Sequence, residues 1–276
     1  MKQQIFKYLK SYSTEPFQVD RLIVSAFLKM NAINSTKNIL IKEYMISENE
    51  SETFIKVSDF VQIIKKEFGK FSIENLIELF EGVIALSDRI INGAVYTPLF
   101  IREYIINQSF SQKSKVLHIS KVADISCGCG GFIYNAAKEI KRRTKKTYFQ
   151  IFKTQIFGLD IQSYSINRSK LLLSILALSE GEDNKQFEFN LFTGDALTFD
   201  WNGSLTKFSG FDIILGNPPY VCSRNLSEET KGKIRNWEVC NSGHPDLYIP
   251  FFQIGIENLA IDGILGFITR NSFFKS

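Results

Sequence analysis

The sequence predicts an α/β protein, a doubly wound and mostly parallel sheet preceded by an α-helical amino-terminal domain. Three observations carry this. From Lys121 onward, short apolar runs alternate with longer helical stretches, the order that βαβ units produce. A glycine-rich turn, Ser126-Cys-Gly128-Cys-Gly130-Gly131, sits between the first of these runs and the helical stretch after it. Before residue 93 the apolar residues recur at three- and four-residue steps, with no alternating pattern. The expected boundaries are a helical domain at 1–92 and a sheet domain at 93–276.

In the amino-terminal part, Phe17, Leu22, Ile23, Ala26, Phe27 and Met30 mark one helical face. Ser58-Asp59 reads as a cap for a helix carrying Phe60, Val61, Ile64 and Phe68 and stopped by Gly69. Ser72 reads as the cap of the next, with Leu76, Ile77, Leu79 and Phe80. The polar stretch from Ser47 to Glu52 reads as an exposed loop. At Gly93-Ala-Val-Tyr96-Thr97-Pro98 the character changes: Thr97 is placed to cap a helix opening on Pro98, with Leu99, Phe100, Tyr104 and Ile105 as its apolar face.

In the sheet part, Val122 to Ile125 is the first strand, Phe132 to Ile140 the helix after the glycine turn, and Gln155 to Asp160 the second strand. The third strand, Phe187 to Phe192, leads into Thr193-Gly-Asp195-Ala196-Leu197. The fourth, Phe211 to Leu215, ends at Gly216-Asn217-Pro218-Pro219-Tyr220. A polar loop from Val221 to Gly243 follows, then a helix from Pro245-Asp246-Leu247-Tyr248, a turn at Asp262-Gly263 and a fifth strand, Ile264 to Ile268. Asp124, Asp160 and Asp195 all fall at strand ends, hence on one edge of a parallel sheet, where such folds bind ligands. A carboxylate at the tip of the second strand suits a ribose diol, and Asp195 suits an adenine amino group. The glycine spacing is not the dinucleotide fingerprint, which favours a nucleoside with an amino-acid tail over a pyrophosphate.

Asn217-Pro218-Pro219-Tyr220 is the stretch around which the chain is organised. The prolines fix their own φ and push Asn217 toward extended geometry, so the loop at the strand tip is stiff. It offers an amide oxygen, the Pro218 carbonyl and an aromatic ring. That set suits a planar group bearing an exocyclic amine, two acceptors for its N–H bonds and a ring for its face. A proline-rich turn that merely closes a strand is the other reading of these four residues.

Composition bounds the partners. The 276 residues are 44% hydrophobic and 22% charged, as in ordinary globular chains, and no apolar run is long enough to span a bilayer. The opening residues lack a signal-peptide core, so a cytoplasmic protein is expected. A net charge of +4 permits an anionic partner without requiring one. Four cysteines, with Cys127 and Cys129 unmatched by a second pair, and two histidines give no zinc pattern, so no metal is expected.

These motifs, in this order, resemble the group-γ adenine-N6 DNA methyltransferases, above all the catalytic domains of type I and type IIG restriction–modification systems. The stretch Gly93 to Pro98 is similar to their first motif, Asp124 to Phe132 to their S-adenosylmethionine loop, and Gly158-Leu-Asp160 and Gly194-Asp-Ala-Leu197 to the next two. Asn217-Pro-Pro-Tyr220 is similar to the catalytic motif; Asp246-Leu-Tyr248, Gly263 to Ile268 and Asn271-Ser-Phe273 are similar to those that follow. The resemblance covers residues 93–276. It implies an S-adenosylmethionine-dependent methyltransferase fold of Rossmann-like type and methyl transfer to a flipped-out adenine in double-stranded DNA. It further implies Asn217, Pro218, Pro219 and Tyr220 as the catalytic set. Tyr96, Thr97, Pro98, Asp124, Ser126, Gly128, Gly130, Asp160, Ile161, Asp195, Ala196 and Asn217 would line the cofactor.

The family closes its sheet with further strands and usually carries a target-recognition region. Neither appears before Ser276, so a specificity subunit or a further carboxy-terminal region is expected to supply the rest. Two other functions are open to this sequence: a cofactor-binding subunit that is inactive alone, and a release-factor type glutamine methyltransferase, a family that also carries Asn-Pro-Pro-Tyr and a helical amino-terminal domain. The Gly-x-x-Tyr-Thr-Pro stretch and the Asp-Leu-Tyr helix favour DNA over glutamine.

Overall fold

The computed structural model describes residues 2–33, 37–83, 95–113 and 117–270. Gly93, Ala94 and Asn271 to Phe273, which belong to two of the motifs above, lie outside these residues. The chain forms two compact units, one of Met1–Ile84 with Lys170–Phe187, the other of Ala85–Ser169 with Glu188–Ser276.

The first unit contains α1 (Gln3–Tyr12), α2 (Pro16–Met30), α3 (Ile39–Tyr44), α4 (Ser51–Phe68) and α5 (Ile73–Gly82). Pro16 opens α2 at a position where its missing N–H has no helical partner to lose. Leu22, Ile23, Ala26 and Phe27 are buried as their spacing predicts, but Phe17 is 40% exposed, its ring packed edge-on to Tyr44. Ser58 does not cap a helix. The helix starts at Ser51, inside the stretch expected to be loop, and Ser58 lies mid-helix with its hydroxyl donating to the Phe54 carbonyl. An early acidic residue, Glu52, suits that start electrostatically. Gly69 does end the helix, at φ 70°, and Ser72 caps α5 through a reciprocal box with Asn75. Asn38 caps α3 by accepting from the Ile41 N–H. In the same unit, the Asp183 carboxylate accepts the N–H groups of Lys37 and Asn38.

The second unit begins, among described elements, with α6 (Leu99–Gln112). It continues with β1 (Val122–Asp124), α7 (Gly131–Thr144), α8 (Tyr148–Thr154) and β2 (Ile156–Asp160). Helix α9 (Ser163–Ser179) follows, its residues from Lys170 counted with the first unit. The rest is β3 (Asn190–Thr193), the short α10 (Trp201–Ser204), β4 (Phe211–Gly216), α11 (Glu228–Ile234), α12 (Tyr248–Glu257) and β5 (Leu259–Phe267). The strands form one parallel sheet in the order β3-β2-β1-β4-β5. β1 and β4, adjacent in space, run outward to opposite sides in sequence, which makes the crevice between their carboxyl ends the topological switch point.

Two strand starts differ from the sequence reading by more than one residue. β3 starts at Asn190, and β5 starts at Leu259, with Asp262 held at φ 61° inside it. The irregular register between Phe211 and Ile213 absorbs that turn. The Val221–Gly243 stretch, polar by composition, is not simply a loop. It contains α11 and buries Val221, Leu226, Ile234 and Cys240 in one core with Ala123, Phe157, Ile214 and Phe251. Each such aliphatic side chain contributes about 1.5–3 kcal/mol by burial, enough to fix the segment against the sheet.

Candidate active site at the carboxyl edge of the sheet

Because all strands are parallel, Asp124, Asp160, Asp195 and Asn217 follow the ends of four adjacent strands on one edge. The glycine loop is built first. After β1 the Asp124 carboxylate, buried, accepts the Ser126 N–H at 3.0 Å. Gly130 turns the chain into α7 at φ 91°, and a Cβ there would meet the Ser169 Oγ at 2.8 Å. Ser169 closes that contact by donating to the Gly128 carbonyl at 3.1 Å. Asp160 completes the loop from the neighbouring strand, accepting the Gly128 N–H at 2.9 Å and the Gln162 N–H at 2.9 Å. Burial pushes the Asp160 pKa up, and the two N–H bonds and the Ser165 hydroxyl oppose that rise. Asp160 thus ties the tip of β2 to the glycine loop. Gly216 must be small for the same kind of reason: a Cβ there would lie 2.8 Å from Asp124 Oδ1.

The catalytic-motif candidate sits at the tip of β4. Asn217 donates from Nδ2 to the Thr97 Oγ1 at 3.1 Å and the Val95 carbonyl at 3.3 Å. Thr97 is therefore not the helix cap that its position suggests. Pro98 occupies the cap position, α6 starts at Leu99, and the Thr97 hydroxyl holds Asn217. The buried face of α6 also differs: Arg102, Ile106, Ser109 and Phe110 are buried, while Phe100 and Tyr104 are 72% and 66% exposed. With Nδ2 anchored, Asn217 Oδ1 is a buried acceptor with no hydrogen-bond partner. Leaving such an atom unsatisfied costs about 1–3 kcal/mol, an arrangement that persists where a ligand supplies the donor.

Pro218 is buried and Pro219 half-buried. The Tyr220 hydroxyl donates to the Ile268 carbonyl at 2.8 Å, which fixes its ring. Burial pushes its pKa up to about 12, against the Arg270 guanidinium 5.8 Å from the ring centroid. Tyr248 lies 5.8 Å away, tilted at 52°. Asp246 accepts the Ser223 N–H at 2.9 Å, so the Asp-Leu-Tyr helix start holds the loop that leaves the catalytic motif.

Asp195 is engaged. Its Oδ1 accepts the Leu197 N–H at 3.0 Å, and its Oδ2 pairs with Lys233 Nζ at 3.0 Å. Lys233 also pairs with Glu229 at 2.7 Å. Ile161 is 52% exposed, and Ala196, Tyr96 and Pro98 are half-buried. Sequence reasoning missed Ser169 and the roles of Thr97 and Lys233; none has a local signal, since each is defined by a distant partner. Of the loop cations, Arg235 is spent internally, donating to the Cys240 and Gly243 carbonyls. Cys127 and Cys129 are buried free thiols, and burial raises the Cys127 pKa well above the ordinary value. Among the described residues, no group of three or more His, Cys, Asp and Glu is placed to hold a metal, and no helix is long and apolar enough to cross a membrane.

Residues 154–276 match the family described as Eco57I restriction-modification methylase. The chain is 29% identical over 195 residues to the type II methyltransferase M.BstVI of Geobacillus stearothermophilus, an alignment covering 67% of this chain and 34% of that protein. Among solved structures, the ATP-dependent type ISP restriction-modification enzyme LlaBIII, bound to DNA, superposes with a TM-score of 0.59 at 16% identity, covering 98% of this chain and 22% of that one. A Listeria monocytogenes structure assigned to the class I S-adenosylmethionine-dependent methyltransferases superposes with a TM-score of 0.53 at 15% identity, covering 99% of this chain and 76% of that one. The chain spans between 24% and 34% of the length of the curated relatives it matches. It therefore has the Rossmann-like S-adenosylmethionine-dependent methyltransferase fold, and its residues 154–276 are similar to the Eco57I-type restriction-modification methylase domain.

Proposed function

We propose that this chain is the catalytic part of a DNA methyltransferase of a restriction–modification system, specific for adenine N6, acting in the cytoplasm with S-adenosylmethionine as methyl donor. One observation carries the reading above all: Asn217 Oδ1 is a buried, unpartnered acceptor at the tip of β4, with its amide nitrogen anchored by Thr97. A group with two N–H bonds on a planar ring satisfies Oδ1 and the Pro218 carbonyl together. The Tyr220 ring, fixed through its hydroxyl, provides the stacking surface. A base inside a duplex reaches such a site only when flipped out, and the solved structures with a similar fold include a restriction-modification enzyme bound to DNA.

The residues suit the cofactor. The Gly128–Gly130 turn is compact because Ser169 fills the space a Cβ would need at Gly130, while a Cβ on Gly128 would meet nothing within 4 Å, leaving the backbone open to a ligand. Asp160 would hold the ribose hydroxyls through lone pairs left beside its two N–H bonds, and Asp195 the adenine amine. Tyr96, Thr97 and Pro98 would meet the methionine end, beside Asp124, Ser126, Ile161 and Ala196. When bound, the cofactor supplies an activated sulfonium methyl, so this chain's main task is placement of the acceptor nitrogen. Asn217 and Pro218, by accepting from the amine, orient its lone pair. In this reading the methyltransferase domain runs over 93–276 behind a helical domain of 1–92, and a specificity subunit or further region selects the DNA sequence.

Incubation with radiolabelled S-adenosylmethionine and unmethylated genomic DNA, followed by nucleoside analysis, tests this directly. Label in N6-methyladenine is the expected result. Label in cytosine derivatives, or in protein glutamine, would overturn it.

A further inference from the structure

The cofactor-adenine carboxylate of this reading is held by the segment that leaves the catalytic motif. Lys233 projects from α11 onto Asp195 Oδ2 at 3.0 Å, and Trp237 Nε1, shortly after that helix, donates to the Leu197 carbonyl at 3.2 Å. Two contacts thus pin one segment to the Gly194–Leu197 turn. A carboxylate has about four lone-pair positions. The Leu197 N–H and Lys233 take two, which leaves capacity for an exocyclic amine. The Lys233 and Asp195 side chains are 31% and 23% exposed, so the pair is partly shielded from solvent. The second partner of Lys233, Glu229 at 2.7 Å, is 78% exposed, so solvent screens that pair more than the one with Asp195.

We propose that Lys233 is a positioning residue for the cofactor-adenine subsite, fixing the Asp195 carboxylate in one orientation and coupling that subsite to the loop that follows Asn217-Pro-Pro-Tyr220. The inference rests on the assignment of Asp195 to the adenine amine. Lys233 touches no reacting atom. Its effect is on which nucleoside the carboxylate accepts: an amine donates to it, whereas the oxo group of an inosine analogue repels it.

Calorimetric binding of S-adenosylhomocysteine and S-inosylhomocysteine to the full chain tests the proposal. Lys233→Met is expected to weaken the adenosyl ligand by about fivefold, the size of a partly shielded ion pair, and to narrow the adenosyl-to-inosyl ratio by a similar factor. Lys233→Arg should restore the ratio, and Glu229→Gln should leave it unchanged. An equal loss for both ligands in Lys233→Met, or no change in either, overturns the positioning role. Asp195→Ala separates the two ideas. If it lowers adenosyl affinity while Lys233→Met does not alter the ratio, only the inference fails; if Asp195→Ala itself leaves the ratio unchanged, the assignment of Asp195 fails first. Should Lys233→Met not fold, Lys233→Gln gives the same comparison.

Discussion

At the scale of single residues, the site depends on polar atoms with one partner fixed and another position open. Asn217 is the clearest case, with Nδ2 held by Thr97 and Oδ1 buried without a partner. Asn217→Ala should lower methyl transfer about 100-fold, the loss expected when a reacting group is misplaced, with S-adenosylhomocysteine affinity changed less than twofold, as single-turnover kinetics and calorimetry would show. Tyr220 separates ring from hydroxyl. Tyr220→Phe loses only the bond to the Ile268 carbonyl, about 1 kcal/mol of stability. Tyr220→Ala should lose about 1–3 kcal/mol of base stacking and raise KM for DNA accordingly. Asp160 gives a pH signature. Burial raises its pKa, so the folded chain holds this proton more tightly than the unfolded one. Its contribution to stability is full below the ordinary aspartate range and is lost as pH rises through the raised value. The wild type should lose stability relative to Asp160→Asn across that window and run parallel to it above; urea denaturation at stepped pH checks the sign.

At the scale of elements, the glycines rank by what surrounds them. Gly128, at φ 52°, has nothing within 4 Å of a would-be Cβ, so Gly128→Ala carries only left-handed strain, about 1–2 kcal/mol. Gly210, at φ 94°, would place a Cβ 2.3 Å from the Ala260 nitrogen, against the backbone that opens β5. Gly210→Ala should therefore cost about 3 kcal/mol or more, since strain and backbone clash add. Thermal or urea unfolding of the two variants should separate them clearly. The segment after β4 behaves as an element too. Its apolar residues enter the core while Lys233 and Trp237 reach the β3 turn, so it is held at both levels.

At the scale of the molecule, the parallel sheet turns separate sequence stretches into one edge. The ligand proposed for that edge binds the folded chain alone. S-adenosylhomocysteine at a hundred times its Kd should therefore add about 2.7 kcal/mol, several degrees in Tm for the unit that contains the sheet. Asn217→Ala should keep this shift and Asp160→Ala should lose most of it, as differential scanning calorimetry would show. A shift retained in full by Asp160→Ala would remove that residue from the cofactor site.

The sequence alone determined the fold class, the order of the five strands along the chain, and the stiff Asn217-Pro218-Pro219-Tyr220 loop at the end of the fourth strand. These are legible because their causes are local: apolar periodicity, the fixed φ of proline, and the glycines of the Ser126–Gly131 turn. Local signals also misled where a side chain had a distant alternative. Thr97 before Pro98 has the pattern of a helix cap, yet its hydroxyl serves Asn217, 120 residues away. Ser58 resembles a cap, yet α4 had already begun. Only the tertiary structure decided which atom each polar group meets: Asp160 with the Gly128 N–H, Ser169 with the Gly128 carbonyl, Lys233 with Asp195. Such pairings are set by strand order and packing between residues remote in sequence, and no run of neighbouring residues encodes them.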